Sequence, residues 1–331
     1  MTPLARTLIG LIGLGVLAGI VIWLVRYQPF GPGGPVGSPL PSDAPPAAGW
    51  TMAEGAAVAR LEMATAVHDG RFWLAGGYTP DGGVVDELWT FDPATGEWTQ
   101  GPSLPEAVHH SALASDGERL YLIGGYLGAT GRPTQRVRVL DPATGEWLDG
   151  PPLPQPRAAG ALAFDGTRFV YGGGVGQGGV QGEVFVLEGD AWRRLGDFGR
   201  PREHLAAATD GDGRVWFMGG RQGGLDRNVG DVELVDGDAV TLIASITPRG
   251  GVAAFFTDAY GACLTGGEAP SGALTMVECV DADGRTTALP PMTQPRHGHG
   301  AGVVGGRAYA LLGGEIPGLN ATDSVEWIPV D

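Results

Sequence analysis

Lysine does not occur anywhere in the chain, so all 21 of its basic side chains are arginines. The accompanying excess of alanine, glycine and proline is typical of a GC-rich bacterial genome, so the missing lysine indicates origin rather than function. Basic residues are also outnumbered, because 37 acidic side chains give the chain a formal net charge of −16. Such a surface repels phosphate backbones and no basic stripe offsets it, so we expect no nucleic-acid partner.

Short catalytic motifs are absent as well. The sequence contains no G-x-S-x-G nucleophile elbow, no H-E-x-x-H zinc motif and no phosphate-binding G-x-x-x-x-G-K-[ST] loop. We therefore assign no catalytic residue and predict neither a cofactor nor a metal. Cysteine is scarce too, since the two that occur are Cys263 and Cys279. They either form a disulfide across adjacent strands or fill core space as reduced thiols.

A long apolar run occurs at the N-terminus, where residues 8–25 carry no charge and lie between Arg6 and Arg26. As a helix this run would be about 27 Å long, enough to cross a hydrocarbon core. No small-residue cleavage site follows it, so the sequence predicts an uncleaved signal anchor over residues 1–27 rather than a signal peptide. Arg6 and the terminal amine narrowly outweigh Arg26, which favours a cytoplasmic N-terminus and a periplasmic or surface location for the rest.

Residues 28–48 have the composition of a linker, with seven prolines, several glycines and no apolar periodicity. Proline-rich linkers are semi-rigid, and this one reaches up to roughly 65 Å when extended. The sequence therefore predicts a single-pass membrane protein whose main domain is held away from the bilayer.

Residues 49–331 carry an internal repeat. Six diglycines each end a short apolar strand, and their second members are Gly77, Gly125, Gly174, Gly220, Gly267 and Gly314. A period of roughly 47 residues with four short strands per unit is typical of propeller blades. The total of 59 glycines agrees, because helices tolerate glycine poorly.

Further repeated residues indicate which kind of blade this is. The segment DPATGEW occurs at residues 92–98 and again at residues 141–147, and tryptophan follows the same turn in three repeats, at Trp98, Trp147 and Trp192. An arginine opens five of the six repeats. Together with the diglycines, these residues resemble the Kelch family. The resemblance covers residues 49–331 and implies an all-β, six-bladed Kelch-type propeller with four strands per blade.

The sixth repeat ends after its third strand and needs a fourth from elsewhere. Residues 49–52 include Trp50, which precedes Arg60 much as Trp147 precedes Arg157. We therefore expect this N-terminal segment to complete the sixth blade and close the ring, which protects the edge strands.

One face of such a ring carries the loops between the second and third strands. These loops vary in sequence, whereas the opposite face carries repetitive turns, so we expect recognition on the variable-loop face. The loops span residues 78–86, 126–136, 175–182, 221–230, 268–273 and 315–323.

Two rings of side chains are expected to meet at that face. The first lines the central channel and consists of Arg60, Arg157, Arg202, Arg249 and Arg296, with Val108 replacing arginine in blade two. The second follows each diglycine and consists of Tyr78, Tyr126, Val175, Arg221, Glu268 and Glu315. Paired within blades, the two rings neutralise each other in blades five and six. The Kelch resemblance implies a bracing role for the arginines.

Blade four differs, since Arg202 and Arg221 would lie side by side with only Glu203 nearby. We hypothesise that both hold an anionic group of a ligand, with Tyr78 and Tyr126 as stacking surfaces. The predicted ligand-binding residues are Arg202, Arg221, Tyr78, Tyr126, His204, Glu268 and Glu315. Histidines also gather near the channel mouth, where they are interpreted as channel residues rather than metal ligands.

Three functions follow from this organisation. The favoured one is a binding scaffold for a protein or an anionic small molecule, as the Kelch resemblance implies. The alternative is an extracytoplasmic carbohydrate-active enzyme, since the family also includes galactose oxidase and sialic acid mutarotase. The cysteines are misplaced for the oxidase, whereas a mutarotase-like site needs an acid or base beside an arginine. A structural spacer in the cell envelope remains the third.

Overall fold

A computed structural model describes residues 49–330, which form six four-stranded antiparallel sheets arranged as the blades of a propeller. In this part of the chain, the helical content is limited to two single 3₁₀ turns, at Gly128–Thr130 and Leu225–Arg227. The prediction of an all-β, six-bladed propeller with four strands per blade is confirmed.

Within each blade the strands are ordered from the centre outwards. The strands of blade one are Ala64–His68, Arg71–Ala75, Leu88–Asp92 and Glu97–Gln100. Those of blade two are Ala112–Ser115, Leu120–Ile123, Val137–Asp141 and Glu146–Asp149. Those of blade three are Ala161–Phe164, Phe169–Gly172, Glu183–Glu188 and Ala191–Asp197.

The second half of the ring repeats this order. The strands of blade four are Ala206–Thr209, Arg214–Met218, Asp231–Asp236 and Ala239–Ser245. Those of blade five are Ala253–Thr257, Gly261–Thr265, Val277–Val280 and Thr286–Leu289. Those of blade six are Gly300–Val304, Arg307–Leu311, Val325–Pro329 and Thr51–Met52.

The N-terminal strand closes the ring, as predicted. Thr51 lies opposite Trp327 in the third strand of blade six. The Trp50 indole donates a hydrogen bond of 2.9 Å to the carbonyl of Pro290, in the connection that leaves blade five. Trp192 donates in the same way to Pro151 at 2.8 Å, so Trp50 is a true member of the repeat.

The hydrophobic core is divided into six clusters, and each fills the space between two neighbouring blades. The cluster between blades six and one contains Phe72, Tyr309 and Leu311, all buried. Because every blade is covered on both faces, burial is continuous around the ring and no blade has a core of its own.

Blade five contains a disulfide between Cys263 and Cys279. The two residues lie directly opposite each other on the second and third strands, and both are fully buried. Of the two alternatives left open by the sequence, the disulfide is the one the structure contains.

The two faces of the ring differ in regularity. On one face, the turns of DPATGEW are the same in blades one and two, where Asp92 and Asp141 each accept a backbone hydrogen bond of 2.9 Å from the residue two positions on. On the other face, the loops after the diglycines differ, and they include both 3₁₀ turns and the short hairpins at Val175–Val180 and Glu268–Ala273.

The predicted signal anchor and linker, residues 1–48, lie outside the described residues, so their boundaries stay predictions. Within residues 49–330, no helix has the length and apolar character that a membrane crossing requires.

Candidate functional site at the channel mouth

The arginine ring is buried inside the blades and does not line the channel. Each guanidinium forms an ion pair with a glutamate at or near the third strand of its own blade. The pairs are Arg60–Glu87, Arg157–Glu183, Arg202–Glu233, Arg249–Glu278 and Arg296–Glu326. The bracing role implied by the Kelch resemblance therefore fits these residues, while the expected channel lining is wrong.

Blade two, which has Val108 instead of arginine, reverses the charges of this brace. Glu106 precedes the first strand and pairs with Arg136 and Arg138 near the start of the third. Blade two thus also has an ion pair between the segment before its first strand and its third strand, with the charges reversed and more exposed to solvent.

Arg202 has a carboxylate partner that the sequence analysis missed. Both terminal nitrogens of its guanidinium donate to Glu233, one of them at 3.0 Å, and one also donates to the Phe217 carbonyl at 3.3 Å. The Phe198 ring lies 4.2 Å from the guanidinium carbon, and Arg202 is fully buried. The premise that Arg202 lacks a carboxylate is wrong, because Glu233 lies 31 residues further along the chain and meets it only through strand pairing.

Arg221 is also paired, and it joins two blades. Its Nε donates to Glu203 at 3.0 Å and its Nη1 donates to Glu268 of blade five. Pairing within blades predicted that Glu268 neutralises Arg249. In the structure Glu268 neutralises Arg221 instead. His297 of blade six approaches the same carboxylate, with 4.0 Å between Nε2 and Oε2.

The predicted pairing of the two rings was shifted by one residue. The residue after each arginine position, not the arginine itself, lies opposite the second ring in blades one to five. These bridges are Leu61–Tyr78, His109–Tyr126, Ala158–Val175, Glu203–Arg221 and Gly250–Glu268. A shift of one residue turns a side chain to the other face of a strand, which explains why the arginines point into the blades.

In blade six the second ring contains Gly314 instead of Glu315. Leu312 and Gly313 adopt the positive φ values of 60° and 89° that a diglycine adopts in the other blades. Gly313 accordingly donates to the Arg60 carbonyl, as Gly77 donates to Val108. Glu315 therefore lies one position further out, in the loop, and Arg296 is paired with Glu326 instead.

A third ring, which we call the inner ring, surrounds the channel two residues after each arginine position. All six members have φ between 53° and 66°, and they are Glu62, His110, Ala159, His204, Gly251 and Gly298. Each backbone N–H donates to the carbonyl of the member in the preceding blade, at 2.8 to 3.0 Å, so the bonds form a closed circle. Four members are not glycine, and left-handed backbone at such residues is costly and concentrates at functional sites.

Three inner-ring side chains converge in the channel. Nε2 of His110 lies 3.4 Å from the Glu62 carboxylate and 2.9 Å from Nε2 of His204, and His204 lies 3.9 Å from Glu62. Their side chains are 14, 13 and 11% exposed, so each remains accessible from the channel. They border a cavity of about 100 Å³ to which all six blades contribute.

Neighbouring side chains hold these imidazoles in place. The Glu203 carboxylate contacts Nδ1 of His204. Nδ1 of His110 lies 2.5 Å from Nδ1 of His109, whose Nε2 lies 3.1 Å from the Tyr78 hydroxyl. Tyr126 packs against the other side of His109, with 5.2 Å between ring centroids.

Burial keeps these groups uncharged. It lowers the pKa of His110, places the pKa of His204 well below its ordinary value and lowers the pKa of His109 to about 4. Burial, reinforced by the charge of Glu62, raises the pKa of Tyr78. At neutral pH the mouth therefore presents neutral imidazoles and phenols beside the Glu62 carboxyl group.

Comparison with known proteins shows which family the chain belongs to. A family model described as the KLHDC2/KLHL20/DRC7 Kelch-repeats domain matches residues 62–242, more than half of the 331-residue chain. The chain belongs to the Kelch-repeat family. A solved structure, "Structure of YjhT", is similar to this Kelch propeller with a TM-score of 0.70, covering 82% of this chain and 95% of the other at 14% identity. That likeness shows the fold alone, and comparison with curated proteins finds no match.

Five of the seven predicted site residues of this Kelch propeller are brought together at the mouth. They are Tyr78, Tyr126, His204, Arg221 and Glu268, connected through His109, His110, Glu62 and Glu203. Arg202 lies within its blade and Glu315 in a loop. Whether any of the seven binds a ligand stays a prediction.

Sequence reasoning missed Glu62, although a signal for it was present. The position two residues after each repeat's opening residue reads Glu, His, Ala, His, Gly and Gly around the ring. Two glycines at one repeat position indicate positive φ, and charged or imidazole side chains at that same position therefore indicate a special site.

Proposed function

We propose that this Kelch propeller is a membrane-tethered binding scaffold that acts outside the cytoplasm and engages a protein partner with its variable-loop face. The observation that carries the proposal is the asymmetry of the two faces. Repeated turns occupy one face, while loops of different conformation surround a polar channel mouth on the other. Loops on a rigid scaffold are the usual carriers of recognition.

Two exposed apolar side chains favour a protein partner. Ile316 and Leu319 of the blade-six loop are each 59% exposed. A Cβ atom placed on Gly82 would lie 3.6 Å from Leu319, so the blade-six loop adjoins the loop of blade one. Apolar anchors beside polar groups are typical of the centre of a protein interface.

The extracytoplasmic location is supported by two features. The apolar run at residues 8–25 has the length of a signal anchor. The Cys263–Cys279 disulfide is a kind of bond that persists mainly in oxidising compartments.

Site-specific photo-crosslinking in intact cells tests the scaffold function. A photoreactive residue replaces Leu319 in the full chain, and a matched control replaces Leu148, which is 43% exposed in the fourth strand of blade two. We expect a discrete crosslinked protein from position 319 and none from position 148. Equal crosslinking at both positions, or none at 319, would contradict a partner on the variable-loop face.

Fractionation of the same cells tests the tether and the location separately. The full chain should remain in the membrane after alkaline extraction and should be degraded by protease added outside the cytoplasmic membrane. A version that starts at residue 49 should lack membrane association. Protection of the full chain from external protease would reverse the proposed orientation.

A second candidate is a carbohydrate-active enzyme resembling a mutarotase, and the cluster of Glu62, His110 and His204 favours it. A carboxyl group and neutral imidazoles in one cavity supply the acid and base needed for sugar ring opening. Exchange between sugar anomers, followed by NMR with acidic and neutral sugars, tests this activity. Catalysis that is lost in Glu62→Gln supports the candidate, and exchange no faster than in buffer excludes it for those sugars.

A further inference from the structure

The spacing of three inner-ring side chains matches the requirements of a metal site. The ligand atoms of Glu62, His110 and His204 lie within 4.8 Å of one another. Nε2 of His110 lies 2.9 Å from Nε2 of His204 and 3.4 Å from one Glu62 carboxylate oxygen, and Nε2 of His204 lies 3.9 Å from the other oxygen. Neighbouring ligands of a tetrahedral zinc ion lie about 3.3 Å apart. Small rotations of the side chains would bring all three onto one ion.

The backbone holds the three metal-binding candidates close together around the channel. Glu62, His110 and His204 all adopt φ near 54° within the closed circle of backbone hydrogen bonds. The circle fixes their Cα atoms around one axis, so the side chains are directed by the ring closure and not by a mobile loop. A preorganised set of donors is what tight metal binding requires.

The surrounding polar groups suit metal-binding tautomers. The Glu203 carboxylate lies against Nδ1 of His204, and a proton on that nitrogen would leave Nε2 to coordinate. For His110, a proton on Nδ1 can be donated to Nδ1 of His109 at 2.5 Å, while His109 donates from Nε2 to the Tyr78 hydroxyl at 3.1 Å. In both His110 and His204, the ring nitrogen that does not coordinate, Nδ1, therefore has a polar neighbour outside the metal site.

We propose that Glu62, His110 and His204 form a binding site for a divalent transition metal of the zinc type, with a coordination position open to the channel. Two imidazoles and a carboxylate favour zinc or cobalt over magnesium and calcium, which prefer oxygen ligands. Three protein ligands with one open position are typical of zinc sites that bind a substrate or water. The adjoining cavity of about 100 Å³ leaves space for such a ligand.

This site goes beyond a scaffold function, because it does not depend on any partner of the variable-loop face. A metal at the mouth would give the acidic chain a local positive centre at the channel axis. The ligand class it would take is an oxygen donor, such as a carboxylate or a vicinal diol of a sugar.

Metal titration of the untagged, metal-stripped full chain in detergent tests the proposal. Isothermal titration with Zn²⁺ should show one bound ion per chain, and Mg²⁺ should show none. Co²⁺ should bind at the same site and give the visible absorption of a low-coordinate ion, which Zn²⁺ then displaces. These wild-type measurements do not depend on the stability of any variant.

Variants then locate the ion. We expect His110→Asn and His204→Asn each to abolish the Co²⁺ spectrum, and Glu203→Gln to weaken binding about 10- to 100-fold through its contact with His204. His68→Asn is the matched control, because His68 lies in the first strand of blade one, hydrogen-bonded to Ser115, outside the cluster. Binding that survives in a folded His110→Asn, His204→Asn double variant, or no Zn²⁺ binding by the wild-type chain, overturns the proposal.

Discussion

Two positions that lie two residues apart at the entry to each blade behave in opposite ways. The arginine position has nearly the same residue in every blade, and its side chain is buried and paired with a glutamate of the same blade. The inner-ring position has an almost constant backbone conformation, yet its residue changes from glutamate to histidine, alanine and glycine. A repeated residue therefore marks a structural requirement, while a varied residue on a strained, constant backbone marks a site.

The largest expected effect is on stability, at the arginine position. Arg202→Met should destabilise the propeller by about 3 to 5 kcal/mol, because it leaves Glu233 buried without its partner. The double variant with Glu233→Leu should regain most of that loss. Urea unfolding monitored by tryptophan fluorescence measures both.

The control for this prediction is Arg193→Met, at the exposed ion pair with Glu188, where no measurable change is expected. If Arg202→Met proved as stable as the wild type, the arginine position would not be a structural brace and the contrast between the two positions would fail.

The next effect concerns the backbone of the inner ring. Ala159 has φ of 53°, so Ala159→Gly should stabilise the propeller by about 1 to 2 kcal/mol. Gly298→Ala should destabilise it, since alanine is strained at φ of 54° and the new Cβ would also lie 2.7 Å from a Glu62 carboxylate oxygen. Thermal unfolding of both variants measures the two signs, and a stabilising Gly298→Ala would show that the ring is not strained as described.

A smaller effect is expected at the repeated tryptophans. Trp50→Phe and Trp192→Phe each remove a hydrogen bond to a proline carbonyl, and the lost bond should cost about 1 kcal/mol in either case. Chemical denaturation measures the cost. A neutral Trp50→Phe beside a destabilising Trp192→Phe would mean that the N-terminal strand contributes little to ring closure.

The last effect depends on pH and sharpens the comparison at the residue next to the inner ring. His299 is buried and hydrogen-bonded to Thr265 at 2.8 Å, and burial, then the charges of Arg296 and His297, hold its pKa well below its ordinary value. In the unfolded chain His299 binds a proton below about pH 6.5, whereas in the folded chain it stays neutral. The free energy of unfolding should therefore fall as the pH drops.

His299→Asn should remove this contribution and reduce the slope of stability between pH 6.5 and 5.5, by at most about 1.4 kcal/mol per pH unit. Unfolding curves at several pH values measure the slope. An unchanged slope would show that His299 takes up its proton equally well in the folded and unfolded states, so that its pKa is not lowered by burial.

The repeat pattern made much of the fold predictable. The diglycines, the Asp-Pro turns and the tryptophans recur at a fixed period, and each residue type has a local reason for its place. Trp50 could be assigned to the sixth blade because it fits the same pattern. In blade six the pattern misled, since Leu312 adopts a conformation usually left to glycine and moves Glu315 out of the second ring.

The candidate site was predictable only in part, because its members come from different blades. Tyr78, Tyr126, His204, Arg221 and Glu268 were placed at the mouth by repeat position alone. The partner of Arg202 was not foreseen, since Glu233 follows no fixed spacing from the arginine. The five brace glutamates lie 26 to 31 residues after their arginines, because loops of unequal length intervene.

The sequence by itself determined the fold class, the number of blades, the closing strand and the variable face, since these depend on local turn chemistry and on strand periodicity. Tertiary structure alone decided that the arginine side chains point into the blades, away from the channel, and that Glu62, His110 and His204 meet. Side-chain direction depends on a one-residue register between strands, and the meeting of residues 48 and 94 positions apart depends on closing the ring. Neither the register between strands nor the closure of the ring is encoded within a single repeat.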